Sequence, residues 1–287
     1  MSYYKLKTTD YTFYLMVLKG DGSDTISIGG KRKECVNISI NTPDSIMVQR
    51  GYHSLDIATI PILFTNPDCS LEKPLAKGTG TITMIRTILS ETVKRYPYVK
   101  TYEFTDNSHI TCDNGKGITL MFLSIIQHKQ TWYERHFNAH IKDKELYTRY
   151  KTGLLVLQDP ELKIPFNDFK NIIQSYTSED TIKKLQVYYD TSNTFFEFFQ
   201  LILDSGGKQE LCNIIVDWID LFIYHIFKFY PQNTLWIIER GSIESIQVEE
   251  TPLNKKPANQ FGGKRRTRKN LPMRVNIGTD IEFEYRI

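Results

Sequence analysis

Up to about Phe64 the chain alternates short apolar runs with Gly, Asp, Asn and Pro breaks. TFYLMVL, DTISI, ECVNISI, SIMVQ and LDIATIPILF each read as a strand. A sheet therefore opens the fold. Pro67 to Pro74 makes a polar connection, after which Ile82, Ile85, Ile88, Leu89 and Val93 recur at helical spacing. They predict a helix over 79–95 that Pro97 closes. Tyr98 to Phe104 reads as a strand, and a second helix runs from about Ile118 to Phe137. Strand, helix, strand, helix in that order predicts a parallel pair joined by a helical crossover.

From about Pro165 the pattern turns helical. FNDFKNIIQSY opens with Asn167 as its cap, SEDTIKKLQVYYD and TFFEFFQLILD follow, and Gly206–Gly207 precede a long helix over 208–230. Leu211, Ile214, Ile215, Trp218, Leu221, Phe222 and Phe229 give that helix one wide apolar face, which reads as core. TLWIIERGSIESIQVEE and MRVNIGTDIEFEYRI read as strands. The expected fold is thus α/β (α+β): a mixed central sheet over 1–155, a mainly helical module over 156–250, and a basic segment with a terminal strand over 251–287.

Composition sharpens this picture in two places. With 40% hydrophobic residues in 287, the chain is long enough to bury a sizeable core. Asn213, Asp217, Asp220 and Lys228 interrupt the longest apolar stretch, so no membrane span and no signal peptide is expected. Cys35, Cys69, Cys112 and Cys212 lie far apart with no CxxC pair, which argues against a zinc ribbon and leads to an expectation of free thiols in a reducing compartment. The formal charge of +3 is unevenly spread. Seven bases and no acid occupy 255–269, and without them the rest of the chain carries −4.

The chemistry-bearing stretch is KGTGTITMIRTILSETVKRYPYVKTYEF. Gly78-Thr79-Gly80 before a helix start gives a run of bare amides suited to a phosphate or pyrophosphate, although a tight turn with no ligand would need the same glycines. The turn lacks the full dinucleotide-binding spacing and the Gly-Lys-Ser/Thr ending of a P-loop. The turn Leu75-Ala76-Lys77-Gly78-Thr79-Gly80, the strand after its helix, and a second helix ending Trp132-Tyr133-Glu134-Arg135-His136-Phe137 together resemble the GNAT acyltransferase superfamily.

That resemblance implies acetyl-CoA as cofactor, with its pyrophosphate held at Lys77, Gly78, Thr79, Gly80 and Thr81, and an amine as acyl acceptor. It places Tyr133 near the thioester sulfur, where a phenol could protonate the departing thiolate. Leu75 and His136 depart from the family pattern. Glu103, in the strand after the turn, and Asp106, just past it, are the candidates for general base, because ligand-facing residues of open sheets gather there. Either would equally serve as a surface carboxylate, and Trp132, Tyr133 and Phe137 would equally serve as aromatic packing.

His109 and Cys112 share a loop, so a Cys-His nucleophile pair is conceivable, against a surface histidine beside a buried cysteine. A metal site needs three or four ligands, and the His109–Cys112 spacing is all that suggests one, so no metal is expected. GGKRRTRK, with Lys264, Arg265, Arg266, Arg268 and Lys269, suits unselective contact with nucleic-acid phosphates, a virion-protein partner, a nuclear address, or a solvated tail. Together with GTGTITMIRT, SHITCDN and TWYERHFNA it is similar to an uncharacterised protein family of large nucleocytoplasmic DNA viruses. That similarity implies a virion or a host-cytoplasmic virus factory, where the chain acts either as an acyltransferase or as a non-catalytic binding protein.

Overall fold

The computed structural model describes residues 1–31, 34–50, 55, 57–62, 71, 75–76, 79–106 and 108–254. They fall into two compact units, Met1–Glu103 with the segment that returns at Glu239, and Phe104–Ile238. The division therefore lies at 103/104 and 238/239, and the helical unit starts well before the expected boundary at 155.

The first unit is a meander. Strands β1 (Ser2–Lys7), β2 (Thr12–Leu18), β3 (Ser23–Gly29), β4 (Glu34–Asn41) and β5 (Ile57–Ile62) pair antiparallel in chain order. Period-2 alternation drives this: Phe13, Leu15 and Val17 are buried between half-exposed or exposed neighbours, as are Ile38 and Ile40, while in β3 and at the start of β4 both faces are covered, with Ser27 and Cys35 buried beside Ile26, Ile28 and Val36. β1 carried no such signal, because its tyrosines and Lys5 are all half-exposed and only Leu6 is buried. The last described strand, β11 (Glu249–Leu253), covers its outer edge antiparallel. The SIMVQ stretch forms no strand. Ser45 donates to the Thr42 carbonyl and Gln49 to the Ser45 carbonyl, which closes the turn after β4 into the short helix α1 (Ile46–Gln49).

The predicted crossover is present. Helix α2 (Thr79–Arg95) leads from β5 into β6 (Thr101–Phe104), which lies parallel to β5 with Ala58 opposite Tyr102 and Thr59 opposite Glu103. α2 buries Met84, Ile85, Ile88 and Leu89, and it packs on β3. The sheet of this unit is therefore mixed, with one parallel pair at the end of an antiparallel series.

The second unit is mostly helical. The hairpin β7 (His109–Thr111) and β8 (Gly117–Thr119) opens it. The single helix expected over 118–137 is instead two, α3 (Leu120–His128) and α4 (Trp132–Phe137). Lys129 takes a left-handed conformation that stops α3, and Thr131 starts α4 by accepting from the Glu134 amide while Glu134 accepts from the Thr131 amide. β9 (His140–Ile141) and β10 (Trp236–Glu239) pair antiparallel.

Between them lie α5 (Lys144–Gln158), α6 (Phe166–Ile173), α7 (Glu179–Asp190), α8 (Phe195–Ile215) and α9 (Ile219–Phe227). Pro165, not Asn167, precedes α6, whose first residue is Phe166. The expected 208–230 helix is broken too. The break falls after Ile215, where α8 ends, and Trp218 precedes α9; Gly206 and Gly207, expected ahead of this helix, do leave helical geometry inside α8, Gly207 at φ 61°. The apolar face is core as expected: Leu211, Ile214, Ile215, Trp218 and Phe222 are buried. Phe169, Tyr189, Phe195, Phe198, Phe199, Trp218 and Phe222 pack ring on ring at centroid distances such as 5.0 Å for Phe195–Phe222 and 5.4 Å for Phe169–Trp218.

Candidate functional site

The entry to α2 is built by Tyr11, just ahead of β2. Its hydroxyl accepts from the Ala76 amide at 2.8 Å, and the Ala76 carbonyl in turn accepts from the Gly80 amide at 2.8 Å. A β-carbon on Gly80 would sit 2.8 Å from the Tyr11 hydroxyl and 2.9 Å from Leu75 Cβ. Close packing thus explains the second glycine of the turn, and its amide, expected to face a pyrophosphate, is already used by the helix. Leu75, at the position where the resemblance expects a polar residue, forms part of that packing. Thr79 is exposed at the helix start and Thr81 is half-exposed. Lys77 and Gly78 lie outside the described residues, as do Lys264, Arg265, Arg266, Arg268 and Lys269.

Because β5 and β6 run parallel, their carboxyl ends lie at the same end of the sheet. Glu103 stands at that end, half-exposed, between buried Tyr102 and Phe104. Tyr102 is fully buried and its hydroxyl has no hydrogen-bond partner among the described residues. Loss of hydration pushes its pKa well up.

In the second unit, Asp106 and Tyr133 come together. Asp106 is only 4% exposed, and its Oδ1 accepts from both the Ser108 amide at 3.0 Å and the Ser108 hydroxyl. Burial raises the Asp106 pKa, and the two Ser108 bonds partly oppose the rise. Tyr133, in the first turn of α4, packs its ring 4.6 Å from Phe104 and 5.0 Å from Trp132. Burial of its hydroxyl holds it well above the ordinary tyrosine range, and the nearby Asp106 charge pushes it further the same way. The two groups resist carrying negative charge together. A phenol so placed keeps its proton at neutral pH, while Asp106 gains from any neighbour that supplies positive charge.

Trp132 also contacts His136 and Phe137, at 5.1 and 5.5 Å, so the aromatic packing expected for the end of this helix is present. Ser108 escaped sequence reasoning, although Asp106-Asn107-Ser108 has the form of a turn in which an aspartate caps the amide two residues on. Nothing local marks the Tyr11 hydroxyl, whose partner Ala76 is 65 residues away.

The Cys112 thiol does not exist as such. Cys112 and Cys212 form a disulfide with Cα atoms 5.6 Å apart, which removes the conceivable Cys-His pair. Cys35 is disulfide-bonded as well, and no cysteine among the described residues is free, contrary to the expectation of free thiols. His109 stacks instead over Gly117 on the facing strand. Among the described residues no group of three or more His, Cys, Asp or Glu could hold a metal ion, and no helix is long and apolar enough to cross a membrane. Comparison of the chain with protein-family models, with curated proteins and with solved structures finds no match.

Proposed function

We propose that the protein is an acyl-CoA-dependent N-acyltransferase-like protein of a large DNA virus, working in a virion or a cytoplasmic virus factory. The observation that carries this reading is the crossover: α2 starts off the carboxyl end of β5 with exposed Thr79, and Glu103 stands at the carboxyl end of the adjacent parallel β6. Ligands of open sheets gather at such an edge, and a helix start there favours a pyrophosphate. Since the Gly80 amide is engaged by Ala76, the described part of the cradle is exposed Thr79 and half-exposed Thr81, with Lys77 and Gly78 outside the described residues. Tyr133 is the residue that the resemblance assigns to the thioester sulfur. Its raised pKa makes outright proton transfer to a thiolate of pKa about 8.5 uphill, so its part is to donate a hydrogen bond that stabilises the departing sulfur. The base is Glu103 or Asp106, and the acceptor is an amine.

Calorimetric titration with acetyl-CoA, beside Thr79→Glu, tests the cradle. Thr79 is exposed and a glutamate suits a first helical turn, so the variant folds, yet its carboxylate repels the pyrophosphate. Saturable binding by the parent that falls at least about tenfold in Thr79→Glu, a change of about 1.4 kcal/mol, is the expected result. Absence of binding to the parent at millimolar cofactor overturns the reading.

A second reading is favoured by the packing of Tyr11 and Leu75 over Gly80, which fills space a cofactor would otherwise approach. On that reading the fold is kept without catalysis, and 264–269 contact nucleic acid or a virion protein. Its mark is affinity for DNA that drops steeply with salt and is abolished when Lys264, Arg265, Arg266, Arg268 and Lys269 are neutralised.

A further inference from the structure

The β7–β8 hairpin has three residues per strand, too short to hold its shape by pairing alone. Ile110 and Ile118 anchor its base by burial. Its tip, residues 112–116, is fastened differently, to the part of α8 beyond the Gly206–Gly207 break and the residues just after it. The Cys112–Cys212 disulfide is the covalent tie; beside it Gln209 donates to Asp113 at 2.9 Å, and Lys116 meets Asp217 at 2.6 Å. Those two polar contacts are exposed and contribute little, so the disulfide carries the attachment.

The other end of the hairpin is Ser108. Its carbonyl accepts from the Leu120 amide at 3.0 Å where α3 begins, and its amide and hydroxyl are what hold Asp106. A single short element thus joins the disulfide to the Asp106–Tyr133 pair.

We propose that the Cys112–Cys212 disulfide is a redox latch on the Asp106–Ser108–Tyr133 cluster, fixing Ser108 when oxidised and freeing it when reduced. A dithiol reductant supplies the chemistry. One of its thiolates attacks a cystine sulfur to give a mixed disulfide, and its second thiolate displaces the protein sulfur. Two electrons and two protons end on Cys112 and Cys212 as thiols, and the reductant leaves as its own disulfide. Both half-cystines are 5% exposed, so the exchange requires the hairpin tip to part from α8, a motion that the glycine break makes local. The latch concerns backbone order at Ser108 and does not depend on acyl transfer.

Hydrogen–deuterium exchange on the full chain, oxidised and after dithiothreitol treatment, with far-UV circular dichroism alongside, tests this. Expected on reduction is exchange faster by about tenfold or more across 106–120, including the Ser108 and Leu120 amides, with α5, α7 and α9 still protected. Cys112→Ser with Cys212→Ser should reproduce that pattern without reductant. Three results overturn the latch: unchanged protection of 106–120 on reduction, loss of protection across the whole Phe104–Ile238 unit, or alkylation of Cys112 and Cys212 in protein never exposed to reductant.

Discussion

At the scale of single residues, burial without compensation is what sets the chemistry. Asp106 is enclosed by the fold, and among the described residues it receives hydrogen bonds on Oδ1 from Ser108; burial outweighs them, so its charged form is disfavoured relative to the unfolded chain. Its pKa is raised on folding, so the native state binds the proton more tightly. Stability tied to this group is therefore full below the unfolded value, near 3.8, and is lost as pH rises through the folded value. Asp106→Asn keeps an oxygen for the Ser108 amide and hydroxyl and removes the buried charge. We expect it to fold at least as stably at neutral pH, with a flatter dependence of the denaturant midpoint on pH above 4, and to lose any activity that needs the carboxylate. A lower midpoint than the parent at pH 7 would show that the charge is stabilised by a partner.

Residue identity leaves the second glycine of the turn open between a ligand-facing role and a packing role. A glycine that admits a ligand and a glycine that admits a neighbouring hydroxyl look alike in one dimension. Only the return of Tyr11 to Ala76 and Gly80 distinguishes them.

Among the elements, stops and caps decided more than periodicity. The 79–95 helix was legible to the residue, because its apolar spacing is regular and Pro97 closes it. Over 118–137 the apolar signal runs on, and the break depends on a short polar device, Lys129-Gln130-Thr131 followed by Glu134. Thr131 is fully buried, and its hydroxyl satisfies the Glu134 amide. Glu134 answers the Thr131 amide and also accepts from Tyr150 and Lys151, which binds α4 to α5. Thr131→Ala should cost about 1–2 kcal/mol, read as a lower denaturant midpoint. If helix periodicity alone held this region, the loss would be within a few tenths of a kcal/mol. Since α4 carries Tyr133 in its first turn, the same change should loosen the Phe104–Tyr133 contact.

For the molecule as a whole, the disulfides change the expected stability and handling. The Cys112–Cys212 bond spans 100 residues, and restricting so long a loop in the unfolded chain stabilises the fold by about 2–5 kcal/mol. Replacing both cysteines with serine should lower the unfolding free energy by that amount at equilibrium in denaturant, and reductant should do the same to the parent while leaving the double variant unaffected. A parent insensitive to reductant would mean the bond adds nothing to stability.

What the sequence determined by itself was local and periodic. Alternating apolar residues specified the meander from β2 to β4, 3.6-residue spacing specified α2, and strand-helix-strand order specified the parallel β5–β6 pair, because a crossover helix leaves no other short path. What only the tertiary structure decided was non-local. It set the pairing of Cys112 with Cys212, the seating of Tyr11 on the α2 entry, the enclosure of Asp106 beside Tyr133, and the covering of β1 by β11. Each joins positions far apart in the chain, through a covalent bond, a backbone ladder or close packing. Such proximity leaves no period in the sequence to be read.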